Sequence, residues 1–113
     1  MLREETVLGS HIVDALVNNE EFDEIRVIDN QSAESHDKFY FNRSSKVMNW
    51  VFDIGDYDLI KDLFKDIDVV FHLAAESRIQ IATNNPTLAA KTNTTGTCNV
   101  LQAAREAGCD RVI

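Results

Sequence analysis

Apolar residues at Leu8, Ile12, Val13, Ala15 and Leu16 recur at the three- and four-residue spacing that lines one face of an α-helix. Asn18-Asn19 closes that segment. Nothing between Leu2 and Thr6 breaks a helix, so the pattern allows it to extend backwards to Leu2. Ile25-Arg26-Val27-Ile28-Asp29 is short, β-branched and followed by the turn-former Asn30, and it predicts a strand. From Gln31 to Asn49 no period dominates a polar stretch around Phe39-Tyr40-Phe41. A connection of that length is unusual in a compact domain and has room for a short helix or strand.

Trp50-Val51-Phe52-Asp53-Ile54 predicts a second strand, ended by Gly55. Asp56 is placed to cap a short helix carrying Leu59, Ile60, Leu63 and Phe64 on one face. Val69-Val70-Phe71-His72-Leu73-Ala74-Ala75 is a continuous apolar run with one histidine. Such a run suits a strand covered on both faces, as in a parallel sheet. A long helix is predicted from Pro86 to Ala107, with Asn85 as its cap, proline in its first position and Gly108 as its left-handed stop. Arg111-Val112-Ile113 opens one more strand. Alternating helices and strands predict an α/β fold, a parallel sheet flanked by helices. With no repeat, linker or low-complexity tract, residues 1–113 form one domain.

Composition narrows the partners. The formal net charge is −8, with the acidic residues spread along the chain. That balance argues against a nucleic-acid groove, which needs a basic stripe to displace counterions, and it disfavours an anionic membrane surface. No apolar run approaches the roughly 18 residues of a membrane span, and Met1-Leu2-Arg3-Glu4-Glu5 lacks the basic-then-apolar pattern of a secretory leader. Cys98 and Cys109 make neither a disulfide framework nor a metal motif. Both are expected as buried small hydrophobes in a reducing cytoplasm. His11 and His36 have no companions at metal-ligand spacing, and His72, flanked by apolar residues, is expected as a satisfied core histidine.

Four groups of residues could carry chemistry. Gly9 stands near the head of the first helix, and Asp29 lies twenty residues on, at the end of the next strand. A glycine there lets helix and strand pack closely, and an acidic residue there can bond the adenosine ribose of a dinucleotide. The carboxylate also repels a 2′-phosphate, and Asn30-Gln31 brings no arginine to reverse that, so NAD is favoured over NADP. Asp53-Ile54, at the next strand end, can accept the adenine amino group and cover the ring. Leu73-Ala74-Ala75 ends a strand in small residues that let a cofactor approach the backbone. Asn93-Thr94-Thr95-Gly96-Thr97 puts a glycine inside a helix, where it costs about 1 kcal/mol and suggests close packing. Each group has a plainer account as a turn, a packed strand end or, for Asn93, a buried side chain bonded to backbone.

Together these residues resemble the NAD-dependent epimerase/dehydratase group of the extended short-chain dehydrogenase/reductases, which includes UDP-galactose 4-epimerase. Gly9-Ser10-His11-Ile12-Val13 is similar to the end of that family's glycine loop and its first helix. Val27-Ile28-Asp29-Asn30 is similar to its ribose-binding strand end, Asp53-Ile54 to its adenine contact and Phe71-His72-Leu73-Ala74-Ala75 to the strand under its cofactor. Asn93-x-x-Gly96-Thr97-x-Asn99-Val100-Leu101 resembles its long-helix signature. The resemblance implies a partial Rossmann fold with NAD as cofactor, held by Gly9, Asp29, Asn30, Asp53, Ile54, Leu73, Ala74, Ala75 and Asn93. It implies a nucleotide sugar as substrate of the parent enzyme, and a homodimer through helix 86–107.

The departures matter as much. The family opens with a strand leading into Gly-x-x-Gly-x-x-Gly, whose amides hold the pyrophosphate. Here Arg3 and Thr6 stand where the first two glycines belong, with Glu4 and Glu5 beside them. The family's catalytic serine or threonine and Tyr-x-x-x-Lys pair lie beyond the last strand begun here. Neither Tyr40 nor Tyr57 is followed four residues on by lysine, so no catalytic residue is assigned. The first strand, central in the order 3-2-1-4-5, is expected to be missing or degenerate. That leaves the strands at 25–29 and 69–74 without a neighbour between them, and the chain alone is expected to be unstable, inactive and at best a weak NAD binder. The alternative is a non-catalytic degenerate Rossmann module acting through protein contacts or weak nucleotide binding. A flavodoxin-like or receiver-type domain leaves the Asn-x-x-Gly-Thr helix unexplained.

Overall fold

Two short stretches of backbone set the middle of the sheet. The computed structural model describes residues 2–3, 6–30, 44–74 and 83–113. Leu2–Arg3 form β1, Ile25–Ile28 β2, Val47–Trp50 β3, Val69–Val70 β4, His72–Leu73 β5 and Arg111–Val112 β6. All pairings are parallel, in the order β3-β2-β1-β5, with β4 on β6. The β4 and β5 segments follow one course broken only at Phe71. The His72 amide donates to the Ile113 carbonyl and the Ile113 amide to the Val70 carbonyl, both at 2.8 Å, so β6 continues alongside. The spatial order is thus the expected 3-2-1-4-5.

The first strand is degenerate rather than missing. Leu2 and Arg3 are strand, so the expected backward run of the first helix to Leu2 is not formed, and α1 spans Thr6–Val17. Absence of a breaker permits a helix but does not require one; pairing with Ile28, His72 and Leu73 on two sides decides for strand. The expected gap between the strands at 25–29 and 69–74 is therefore closed at its carboxyl end.

Strand alternation builds two cores. Ile25 and Val27 point to one face, where Val13 joins them with Ile12, Leu16, Val47 and Phe71 at the margin. Ile28 points to the other, into a cluster with Ile54, Ile60, Phe64, Val70 and Val100. Ile60 lies on α2 (Tyr57–Ile60) and Phe64 on the 3₁₀ turn Lys61–Phe64 that continues it. Arg26 shares the second face. Its guanidinium donates to the carbonyls of Leu63 at 2.9 Å and Lys65 at 2.7 Å and pairs with Glu24 at 2.7 Å. It straps β2 to the loop that leads into β4.

Two further expectations shift. The second strand is Val47–Trp50, paired residue for residue with Ile25–Ile28, and Val51–Ile54 follow it as irregular chain. An apolar run does not by itself fix where a strand begins and ends. Asp56 offers no side-chain bond to α2, and Leu59 is exposed rather than packed.

The long helix covers the expected range, in three parts: α3 (Pro86–Ala90), a π-helical segment (Lys91–Gly96) and α4 (Thr97–Ala107). Asn85 caps it by accepting from the Leu88 amide at 3.1 Å, Pro86 opens it, and Gly108 ends it at φ 76°. Cys98, expected inside, is exposed on its outer face, and Cys109 is half-buried. The aromatic island at Phe39-Tyr40-Phe41 and the residue Ala75 lie outside the described residues. No described helix is long and apolar enough to cross a membrane.

Candidate functional site

The carboxyl ends of β2, the β3 extension and β5 converge, as they do where doubly wound sheets bind ligands. Asp29, Asn30, Phe52, Ile54, Ala74 and Thr92 line a small notch there. Four of these carry the sequence expectation: Asp29, Asn30, Ile54 and Ala74. Asp29 is 6% exposed, and its amide donates to the Trp50 carbonyl at 3.1 Å, which fixes the strand end. Nothing in the residue pattern singles out Phe52 or Thr92. Thr92 is 7% exposed, and its inward position comes from the π turn.

That turn also corrects the reading of Asn93. Two α-helical turns back from the buried Val100 is position 93, which an unbroken α-helix would aim inward. The wider π turn takes up one more residue, and the inward position becomes 92. Thr92 is buried and Asn93 exposed.

Asp53 stands beside the notch. One carboxylate oxygen accepts from the Gly55 amide at 2.7 Å, and the other lies 3.8 Å from Lys91 Nζ, itself 3.9 Å from Asp56. Exposed pairs at such distances contribute little to stability, but they set the direction of the Asp53 carboxylate. The adjoining Ile54 carbonyl accepts from Asn99 Nδ2 at 2.9 Å, which satisfies a backbone group in a segment without strand partners among the described residues. A Cβ on Gly96 would lie 2.5 Å from Ile54 Cδ1. The helix glycine is thus where α4 touches the Ile54 segment, the close packing that its cost implied. Gly9 is buried within the first turn of α1. Leu73 is half-buried on β5.

His72 is half satisfied. Its Nε2 is 2.8 Å from Thr97 Oγ1, which ties β5 to α4, while Nδ1 is buried with no partner among the described residues. Burial pulls its pKa below the ordinary value of 6.5. A histidine whose folded pKa is depressed is neutral in both states above the unfolded value, so its contribution to stability is complete above pH 6.5. It is lost as pH falls from there through the folded pKa. The melting midpoint should therefore fall on acidification below pH 6.5, and His72→Gln should flatten that part of the profile. An unchanged slope in the variant would assign the loss to other groups.

These elements define a doubly wound α/β domain of the dinucleotide-binding class. The comparisons with known proteins refine that class. Residues 7–113 match the family model for GDP-mannose 4,6 dehydratase. A putative UDP-glucose 4-epimerase of Methanocaldococcus jannaschii is 35% identical over 94% of this chain and 33% of its own length. UDP-glucuronic acid decarboxylase 1 of Danio rerio is 30% identical over 89% of this chain and 23% of its own. Among solved structures, UDP-glucose 4-epimerase of Thermotoga maritima with UDP-glucose superposes with a TM-score of 0.79 at 29% identity, over 99% of this chain and 36% of that one. The dTDP-glucose 4,6-dehydratase DesIV of Streptomyces venezuelae, with NAD bound, does so at 0.74 and 26%, over 99% and 38%. The chain belongs to the NAD-dependent epimerase/dehydratase family of extended short-chain dehydrogenases/reductases. It spans between about a quarter and a third of the curated relatives described above.

Proposed function

We propose that residues 1–113 are the adenosine-side portion of an NAD site in a nucleotide-sugar epimerase or dehydratase, and that the chain alone is inactive. The observation that carries this is the burial of Asp29 at the end of β2, in a notch shared with Asn30, Ile54 and Ala74. The residues fit the group. A carboxylate at that strand end can accept both ribose hydroxyls, and its charge opposes a 2′-phosphate. Ile54 and Phe52 offer apolar cover for a purine. Asp53 keeps acceptor capacity for the adenine amine, since a carboxylate has about four lone-pair sites. Gly9 lets α1 approach the sheet, while Leu73 and Ala74 would form the floor under the cofactor.

NAD, when bound, supplies the transient oxidation by which such enzymes change a sugar carbon. The residues present bind and orient; no described side chain is placed to move a proton to a sugar. Saturable thermal stabilisation by NAD, and a smaller effect of NADP at equal concentration, is the expected result. Equal effects, or none at any concentration, would sink the proposal. Turnover of a nucleotide sugar by the 113-residue chain would refute its inactivity.

The proposal includes a homodimer through helix 86–107, whose outer surface exposes Leu88 and Leu101. Light scattering should show a dimer that Leu101→Glu converts to monomer.

A further inference from the structure

Lys91 opens the π-helical segment and is the chain neighbour of Thr92, while Asp53 stands between Phe52 and Ile54. Each is thus one residue away from the notch wall that Phe52, Ile54 and Thr92 form. The lysine stem crosses Gly55. A Cβ on that glycine would overlap Lys91 Cε and come within 3.1 Å of both Lys91 Cγ and Asp53 Oδ1. The φ of Gly55 is not in the left-handed region. What calls for a glycine here is therefore the passage of the lysine side chain, not the backbone.

That path sets where the ammonium ends. Lys91 Nζ lies between two carboxylates, 3.8 Å from Asp53 Oδ2 and 3.9 Å from Asp56 Oδ1. Asp53 Oδ1 meanwhile accepts from the Gly55 amide at 2.7 Å. The terminal torsion of an aspartate is broad when the side chain is free. Here the backbone restrains one oxygen and the cation the other, and the ammonium also offsets the repulsion between Asp53 and Asp56. Stability gains little from exposed pairs at this separation. Binding gains more, because an acceptor already oriented does not have to be ordered when the ligand arrives.

We infer that Lys91 is a positioning residue for base recognition: laid across Gly55, it aims the Asp53 carboxylate at the 6-position of the purine, and so makes the site select adenine over a 6-oxo purine. The inference rests on the NAD reading given above. The 6-amino group of adenine donates to a carboxylate. The 6-oxo group of hypoxanthine is an acceptor, so an oriented carboxylate meets it with like partial charge, and the wrong base is rejected by repulsion. Because Lys91 works through Asp53, it adds affinity only for the base that Asp53 can bond.

The test titrates the 113-residue chain with NAD and, separately, with nicotinamide hypoxanthine dinucleotide, read by ligand-observed NMR. The unaltered chain should prefer NAD. Lys91→Met should weaken NAD about two- to fivefold and leave the hypoxanthine dinucleotide unchanged, and Lys91→Arg should recover part of the loss. Gly55→Ala should give the same selective loss with a nearly unchanged melting midpoint, since it displaces only a flexible stem. In an Asp53→Ala background, Lys91→Met should have no further effect on either ligand. Equal losses for the two dinucleotides in Lys91→Met would make the lysine structural. A larger loss for the hypoxanthine form would put its ammonium on the ligand itself. Either result overturns the inference. If Asp53→Ala removes the preference for NAD and neither Lys91→Met nor Gly55→Ala does, the inference falls and the NAD reading stands. An unaltered chain that binds neither dinucleotide, or both alike, takes away the adenine contact and the inference with it.

Discussion

Gly96→Val is expected to lower the melting midpoint by roughly 5–20 °C, the equivalent of about 1–3 kcal/mol in a domain of this size. The first added carbon would meet Ile54 Cδ1 at 2.5 Å and Cγ1 at 2.6 Å. Ile54 has little room to retreat, because it is buried among Ile28, Ile60 and Val100, and its carbonyl is held by Asn99. Helix propensity works the other way, since valine is a slightly better helix former than glycine. The clash outweighs it. Pairing the change with Ile54→Ala separates the two effects. The single alanine substitution leaves a cavity that costs about 2–5 kcal/mol, but in the double variant the methyls of the introduced valine would enter that space. The double variant should therefore be more stable than the sum of the singles by about 1 kcal/mol or more, measured by denaturant unfolding. Simple additivity would show that the two positions do not meet.

That contact also shows how far the residues alone reveal the fold. Elements closed by local chemistry were legible: Asn85-Pro86 and Gly108 bound the long helix because capping and left-handed backbone are properties of single residues. The parallel α/β architecture followed from alternation, and the order of strands from the family resemblance. What was not legible depends on partners distant in sequence. Of the apolar run at 50–54, Val51–Ile54 is irregular chain that buries Ile54 beneath α4, while the more polar Val47–Trp50 pairs with β2. No pattern within either segment decides that. The π turn is hidden for the same reason: it is an extra residue accommodated where Gly96 presses on Ile54, and it exchanges Thr92 for Asn93 at the inward position. Leu2–Arg3 reads as helix-compatible and becomes strand between two waiting edges.

Asp29→Ala is expected to weaken NAD binding roughly 10- to 100-fold, since a charged hydrogen bond contributes about 1.5–3 kcal/mol and tenfold is about 1.4 kcal/mol. The backbone at this point should stay in place, because the Asp29 amide is held by the Trp50 carbonyl whatever the side chain. The effect on NADP should differ in sign or size. Removing the carboxylate removes its repulsion of a 2′-phosphate, so NADP affinity should hold or rise while NAD affinity falls. Asp29→Asn distinguishes shape from charge: it keeps the side chain's outline and one acceptor, and should restore part of the NAD affinity without restoring discrimination against NADP. Titration by ligand-observed NMR suits the weak binding expected of a chain whose phosphate loop lacks two glycines. Parallel losses for both cofactors in Asp29→Ala would mean that the residue supports the strand end structurally. No loss for either would place the ribose elsewhere and take away the reason for reading the notch as the adenosine end of the site.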